Sequence, residues 1–148
     1  MGNVYRLAKE FKRKYPFTVA WRLRQNSKII EKHLNPDEEV TYVFVGQKAL
    51  PFYSVFNSCV IAVTNKRLLI GRNRVVVGYF LDAVTPDLFN DFKVKSGVIW
   101  GKIYIDTVKE FIVVSHLDKS SLEEIETKVT TFMMREKKKY GSTAHKSN

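Results

Sequence analysis

A single cysteine, Cys59, stands in a chain of 148 residues. An intrachain disulfide is therefore impossible and a thiolate metal cluster is excluded. Such sparing use of cysteine fits a reducing, cytoplasmic compartment. Proline occurs four times and glycine seven, too rarely for a collagen-like or low-complexity chain. No apolar run approaches the roughly 18–20 residues of a membrane-spanning helix. The opening Met1-Gly2-Asn3-Val4-Tyr5-Arg6 has no secretory apolar stretch and carries Arg6 where myristoylation wants Ser or Thr. His33, His116 and His145 have no second His or Cys at metal-ligand spacing. Gly-rich phosphate loops and nucleophile motifs are missing too. Neither a metal, a cofactor, a small-molecule substrate nor an enzymatic reaction is expected.

Acid is scarce as well: 15 Asp and Glu face 25 Lys and Arg, a net charge of +10. The excess is local. Residues 1–34 carry nine basic and two acidic side chains, a net of +7, whereas residues 35–117 are nearly neutral. Hydrophobic residues make up 45% of the chain, enough for one ordinary domain with its own core.

Val4, Leu7, Ala8, Phe11 and Tyr15 recur at helical spacing, and Pro16 is expected to end that helix or start the next one. A second helical stretch is expected over Phe17–Leu34, broken by the polar Arg24-Gln25-Asn26-Ser27, with Ser27 as a cap for its second half. From Glu39 the pattern becomes strand-like. Val60-Ile61-Ala62-Val63-Thr64 and Leu68-Leu69-Ile70 flank Asn65-Lys66 with no room for a loop, which predicts a tight hairpin with Asn65 at positive φ. Arg72-Asn73-Arg74, Thr85-Pro86-Asp87 and Ser96-Gly97 are expected turns. About seven strands with short connections suggest an antiparallel sandwich or small barrel. Leu122, Ile125, Val129, Phe132 and Met133 then form one helical face, capped by Ser120 or Ser121 and stopped by Gly141.

Seven antiparallel strands closed by one C-terminal helix resemble a pleckstrin-homology (PH) domain. Three stretches are similar to the bacterial PH domains of the YokE-like group. These are the "L-x-x-x-E-x-V" lead-in at Leu34, Glu38 and Val40, the "x-T-N-K-R-L" hairpin at Val63–Leu68, and the Gly97–Ile105 strand running through Val114 into the terminal helix. The resemblance spans about residues 28–138, with boundaries good to a few residues. It implies a mainly β fold with helices: a partly open seven-stranded antiparallel barrel capped by a C-terminal helix. The implied organisation is a basic helical extension over 1–27, a PH-like domain over 28–140 and a disordered tail over 141–148. The implied function is a non-catalytic interaction or scaffold module making protein–protein contacts or assembling with itself. Phosphoinositide binding is not implied, because Gly46–Phe52 offers only Lys48 where lipid-binding PH domains place several cations.

Candidate contacts with an anion or a membrane are Arg6, Lys9, Lys12 and Arg13 on the first helix, with Lys66, Arg72 and Arg74 near the hairpin. A basic amphipathic helix can rest on an anionic membrane surface, which makes peripheral membrane binding the alternative to a protein partner or homo-oligomer. Exposed cations on a strand are otherwise solvated, with apolar stems along the sheet. Positive charge also attracts nucleic acid, but no recognition motif accompanies it, and Trp100, Tyr104 and the phenylalanines are expected to fill the core. Nucleic acid is not an expected partner. The helical residues Leu122, Ile125, Val129 and Phe132 are expected to bury against Val43, Ile61, Val63, Leu69 and Val113.

Overall fold

The computed structural model describes residues 2–49, 56–73 and 78–146, and the side chains within them except those of Phe56 and 135–146. Helix α1 spans Asn3–Lys14 and α2 spans Leu23–His33. Seven strands follow: β1 Val40–Ala49, β2 Phe56–Thr64, β3 Leu68–Asn73, β4 Tyr79–Val84, β5 Phe89–Ser96, β6 Trp100–Thr107 and β7 Phe111–Asp118. Helix α3 runs Leu122–Lys146. The strands form one antiparallel sheet in the order β4-β3-β2-β1-β7-β6-β5, which is not closed. β1 joins the two halves through only two pairs with β7, Gln47 with Ser115 and Lys48 with Val114.

Strand alternation puts Phe44, Cys59, Ile61, Val63, Leu68 and Ile70 on one face of the first half, and each is buried. Leu122, Ile125, Val129, Phe132 and Met133 of α3 are buried as expected, and the helix packs mainly on β5, β6 and the short turn Pro86–Leu88. The expected partners of α3 do not form one inner set: Val43 and Leu69 lie on the face of the first half opposite Ile61 and Val63, and Val113 departs as well. It is half-buried, between the buried Ile112 and Val114, because the period of two turns it outward. The helical cap is Asp118, whose carboxylate accepts from Ser120 N at 2.9 Å, while Ser121 Oγ donates to the Asp118 carbonyl. Helix α3 continues through Gly141, since one glycine costs a long helix only about 1 kcal/mol.

The second helical stretch differs from expectation. Residues 18–21 form a strap without regular secondary structure, Arg22 turns it into α2 at a positive φ, and α2 is one helix with the Asn26-Ser27 pair inside it. The strap and Phe17 before it are tied down along their length: Phe17 N donates to Asp118 Oδ2 at 3.2 Å, Val19 N to the His116 carbonyl at 2.9 Å and Trp21 N to Ser58 Oγ at 3.1 Å. Asn26 is buried because it serves two strands. Its Nδ2 donates to the Ser58 carbonyl at 3.1 Å and its Oδ1 accepts from Asn73 N at 2.8 Å. Gly71 lets α2 sit this close, since a Cβ there would lie 2.8 Å from the Asn26 carbonyl oxygen. Asn26→Ala leaves the Ser58 carbonyl and the Asn73 N–H without this partner under the helix. The expected cost is about 1–3 kcal/mol, measured by urea unfolding.

The first helix is part of the same packing. Val4, Ala8 and Phe11 of α1 belong to the buried cluster that continues through Ile30, Phe44 and Ile61 to Met133. Phe11 lies 6.4 Å from the Tyr42 ring and 6.3 Å from the Phe44 ring.

Candidate functional site

The Thr64–Arg67 hairpin and the Leu34–Val40 lead-in prove to be one unit. Thr64 N donates to the Arg67 carbonyl at 2.9 Å, closing the turn. Asn65 is not at positive φ. Among the described residues other than glycine only Arg22 and His116 are, at 57° and 59°. Thr64 Oγ1 instead accepts the N–H groups of Lys66 at 3.1 Å and Arg67 at 3.0 Å, a side-chain turn that needs no left-handed residue. Asn65 spends its polar atoms on the lead-in: its Oδ1 accepts from Glu39 N at 2.8 Å and its N–H donates to the Glu39 carbonyl at 2.9 Å. Lys66 pairs with Asp37. Arg67 forks onto Glu38, with Nε to Oε2 at 2.9 Å and a terminal nitrogen to Oε1 at 3.0 Å, and also donates to the His33 carbonyl at the end of α2 at 2.9 Å. The Glu38 side chain is 0% exposed. Burial alone raises the Glu38 carboxyl, but the hydrogen bonds from Arg67, Thr64 and Asn35 N and the guanidinium charge outweigh it and hold the group below its ordinary value.

The cations proposed as contacts fall on separate elements. On α1, Arg6 bonds Glu10 at 3.1 Å and also Asn3, Lys9 lies 4.5 Å over the Tyr5 ring, Lys12 donates to the Pro16 carbonyl at 2.9 Å, and Arg13 is exposed. Beside them Lys14 bonds Glu124 at 2.7 Å, and Tyr42 donates to the same carboxylate at 2.9 Å. Lys66 is at the β2–β3 turn. Arg72 is in β3 rather than in a turn, buried, with its guanidinium 4.0 Å from the Phe80 ring centre; pairing with β4 carries the strand through Asn73. Arg74 lies outside the described residues.

Near Arg72, Lys48 turns its ammonium inward to Asp82, with Glu110 at 4.0 Å. The lone basic residue of the first hairpin is thus only 10% exposed and salt-bridged. Burial pushes the Cys59 thiol up to about 12, against the pull of the Lys48 and Arg72 charges, so it is protonated and unreactive at neutral pH. Among the described residues no cluster of His, Cys, Asp and Glu has the makings of a metal site. Nor is any described helix long and apolar enough to cross a membrane.

Exposed apolar side chains gather elsewhere, at the β5–β6 hairpin. Its turn is closed by Gly97 N donating to the Trp100 carbonyl at 2.9 Å, which puts Val98 and Ile99 at the centre. Val98 is 91% exposed and Ile99 54%. Trp100 is exposed as well, and its indole N–H donates to the Phe17 carbonyl at 2.8 Å while its ring lies 5.3 Å from that of His116. Phe17, whose carbonyl takes that bond, exposes its own ring as well. A cavity of about 310 Å³ opens between Val98–Lys102 on one side and Ser115 and His116 on the other. His116 lies inside β7, at a bulge where Ser115 and His116 face the single residue Lys102, and this accounts for its positive φ. Ser115 Oγ lies 2.8 Å from His116 Nδ1.

Sequence reasoning had Val98 and Ile99 inside a strand and Trp100 in the core. The readable signal was Ser96-Gly97, which starts the turn and so forces the next two residues to its centre.

A family model described as bacterial PH domain matches residues 34–131. The chain belongs to the bacterial PH domain family. The matched region begins at Leu34 of the lead-in and ends inside α3, so it includes Glu38, Arg67 and the exposed hairpin. PH domains of this kind are binding or scaffold modules and generally non-catalytic. No curated protein matches the sequence. Among solved structures, the crystal structure of a pleckstrin homology domain from Shewanella amazonensis SB2B is 12% identical, with a TM-score of 0.44 over 76% of this chain and 87% of that one.

Proposed function

We propose that this bacterial PH domain, placed in the YokE-like group by its Thr64–Leu68 hairpin motif, is a non-catalytic cytoplasmic docking module. Residues 28–140 are the binding unit, and residues 1–27 a basic extension folded onto it. The docking surface is the corner made by Val98, Ile99, Trp100 and Phe17. One observation carries the reading: Val98, Ile99, Trp100 and Phe17 are all exposed at one corner, the first two at the centre of a turn. Contiguous apolar exposure of this kind marks interaction sites.

The sequence alone favours a protein partner or a second copy, with an anionic membrane met through α1 as the rival. The rival loses its apolar contribution, because Val4, Ala8 and Phe11 are spent on the core. The cations of α1 remain as surface charge only.

The test is cross-linking in cells. A photoreactive amino acid placed at Ile99 is expected to form adducts, whereas the same group at Glu126, exposed on α3, forms none. Equal yields from both positions, or none from Ile99, would overturn the reading.

A further inference from the structure

We infer that the occupant of this corner is an anionic lipid bilayer, entered by the β5–β6 tip rather than by the basic N-terminal helix. The inference rests on the docking role proposed for the corner and adds the chemistry of what covers it.

The hairpin breaks three local rules at one end. A turn centre normally takes Gly, Asn, Asp or Pro, yet this one holds Val98 and Ile99, with 91% and 54% of their surface in water. Like charges directly opposite on neighbouring strands repel, yet Lys95 pairs with Lys102, both exposed. An exposed tryptophan stands between these two features. Local violations without a gain inside the fold are the pattern of a functional site.

All three are relieved by the same surface. Val98 and Ile99 would enter the acyl boundary. Trp100 would lie at headgroup level, where its ring is favoured. Lys95 and Lys102 would meet lipid phosphates, each nearby cation adding attraction to an anionic leaflet. The spacing fits, because Lys102 follows Trp100 by two residues, about 7 Å along a strand, within the roughly 5–10 Å depth of interfacial insertion.

Charge is also graded along the hairpin. Its acidic residues, Asp91 and Asp106, are paired at the far end. Asp118, opposite Trp100 in the register, is buried, and its carboxylate is occupied by Phe17 N and Ser120 N. The tip therefore turns lysine and no exposed acid of its own strands toward its partner. A protein groove would account for the apolar pair alone, whereas a bilayer accounts for the lysine pair as well.

The experiment uses the full chain and sedimentation with vesicles of phosphatidylcholine, with and without about 30% phosphatidylserine. Binding is expected only with phosphatidylserine, falling several-fold between low and physiological salt. In a Trp21→Phe background, Trp100 fluorescence should shift to the blue on binding. Val98→Ser with Ile99→Ser should weaken binding at least tenfold, as should Lys95→Gln with Lys102→Gln. Lys9→Gln with Lys12→Gln should change it less than twofold. All four tip positions are exposed, so a thermal melt should show the variants folded. Absence of phosphatidylserine-dependent binding, or binding that survives the tip substitutions, overturns the inference. Cross-links from Ile99 to protein, with no vesicle binding, would remove the bilayer and leave the docking corner standing. No cross-links at all would remove both.

Discussion

Arg67→Ala is expected to destabilise the fold by about 3 kcal/mol in urea unfolding. Glu38, with no side-chain exposure, would be left as a carboxylate without its guanidinium, and removing one partner of a buried ion pair costs roughly 3–5 kcal/mol. The lower end applies because Thr64 Oγ1 and Asn35 N continue to bond the carboxylate, at 2.6 and 3.1 Å. The carbonyl of His33 at the end of α2 would lose its donor as well. Glu38→Gln should cost less, about 1–2 kcal/mol, since the amide keeps part of the bonding and Arg67 reaches water. The double variant should cost clearly less than the sum of the two, because the groups act as a pair. Fully additive losses would mean that Arg67 and Glu38 contribute independently, and the single-unit account of the hairpin and lead-in would fail.

The same pair predicts a pH dependence. The Glu38 carboxyl sits below its ordinary value of 4.5 in the fold. A group whose folded value is depressed lends stability above its unfolded value and withdraws it as pH falls through the folded one. Wild-type protein should therefore lose stability as pH drops below about 4.5, and Glu38→Gln should flatten part of that slope. Glu124 is a second contributor of the same sign: burial raises it, but Lys14 and Tyr42 bond it and hold it low.

Why some of this was legible in the sequence and some was not follows from the range of the forces involved. Thr64, Asn65 and Arg67 identify the hairpin because their bonds are made within a turn and to one nearby segment. Their partners were not legible, since Glu38 is joined to Arg67 by folding rather than by chain proximity. Asn26 and Ser27 looked like a break in a helix. A polar pair in a helical run can equally face a strand end that needs donors and acceptors, and only the sheet reveals which. Arg72 looked like a turn residue for a similar reason: the pairing of β3 with β4 extends the strand beyond where composition ends it. The exposed tip was misplaced by hydrophobicity itself. Val98 and Ile99 read as strand and Trp100 as core by composition, and the turn at Gly97 overrides composition.

Phe11→Ala is expected to cost about 3–5 kcal/mol, the range for a buried phenylalanine. The argument starts at the seam of the sheet. β1 pairs with β7 at Gln47 and Lys48, so among the described residues the first half of β1, including Tyr42 and Phe44, has no strand on that side. α1 packs on β1, and Phe11 brings its ring against both aromatics and against Tyr15, 5.0 Å away. Phe11 itself is 4% exposed, so its removal opens a cavity that surrounding strands, held in register, cannot collapse to fill. By contrast Arg13→Gln, on the exposed side of the same helix, should stay within about 0.5 kcal/mol. A loss well under 1 kcal/mol for Phe11→Ala would mean that α1 merely rests on the sheet. Its apolar face would then be available to a membrane, and the assignment of that contact to the β5–β6 tip would lose its strongest contrast.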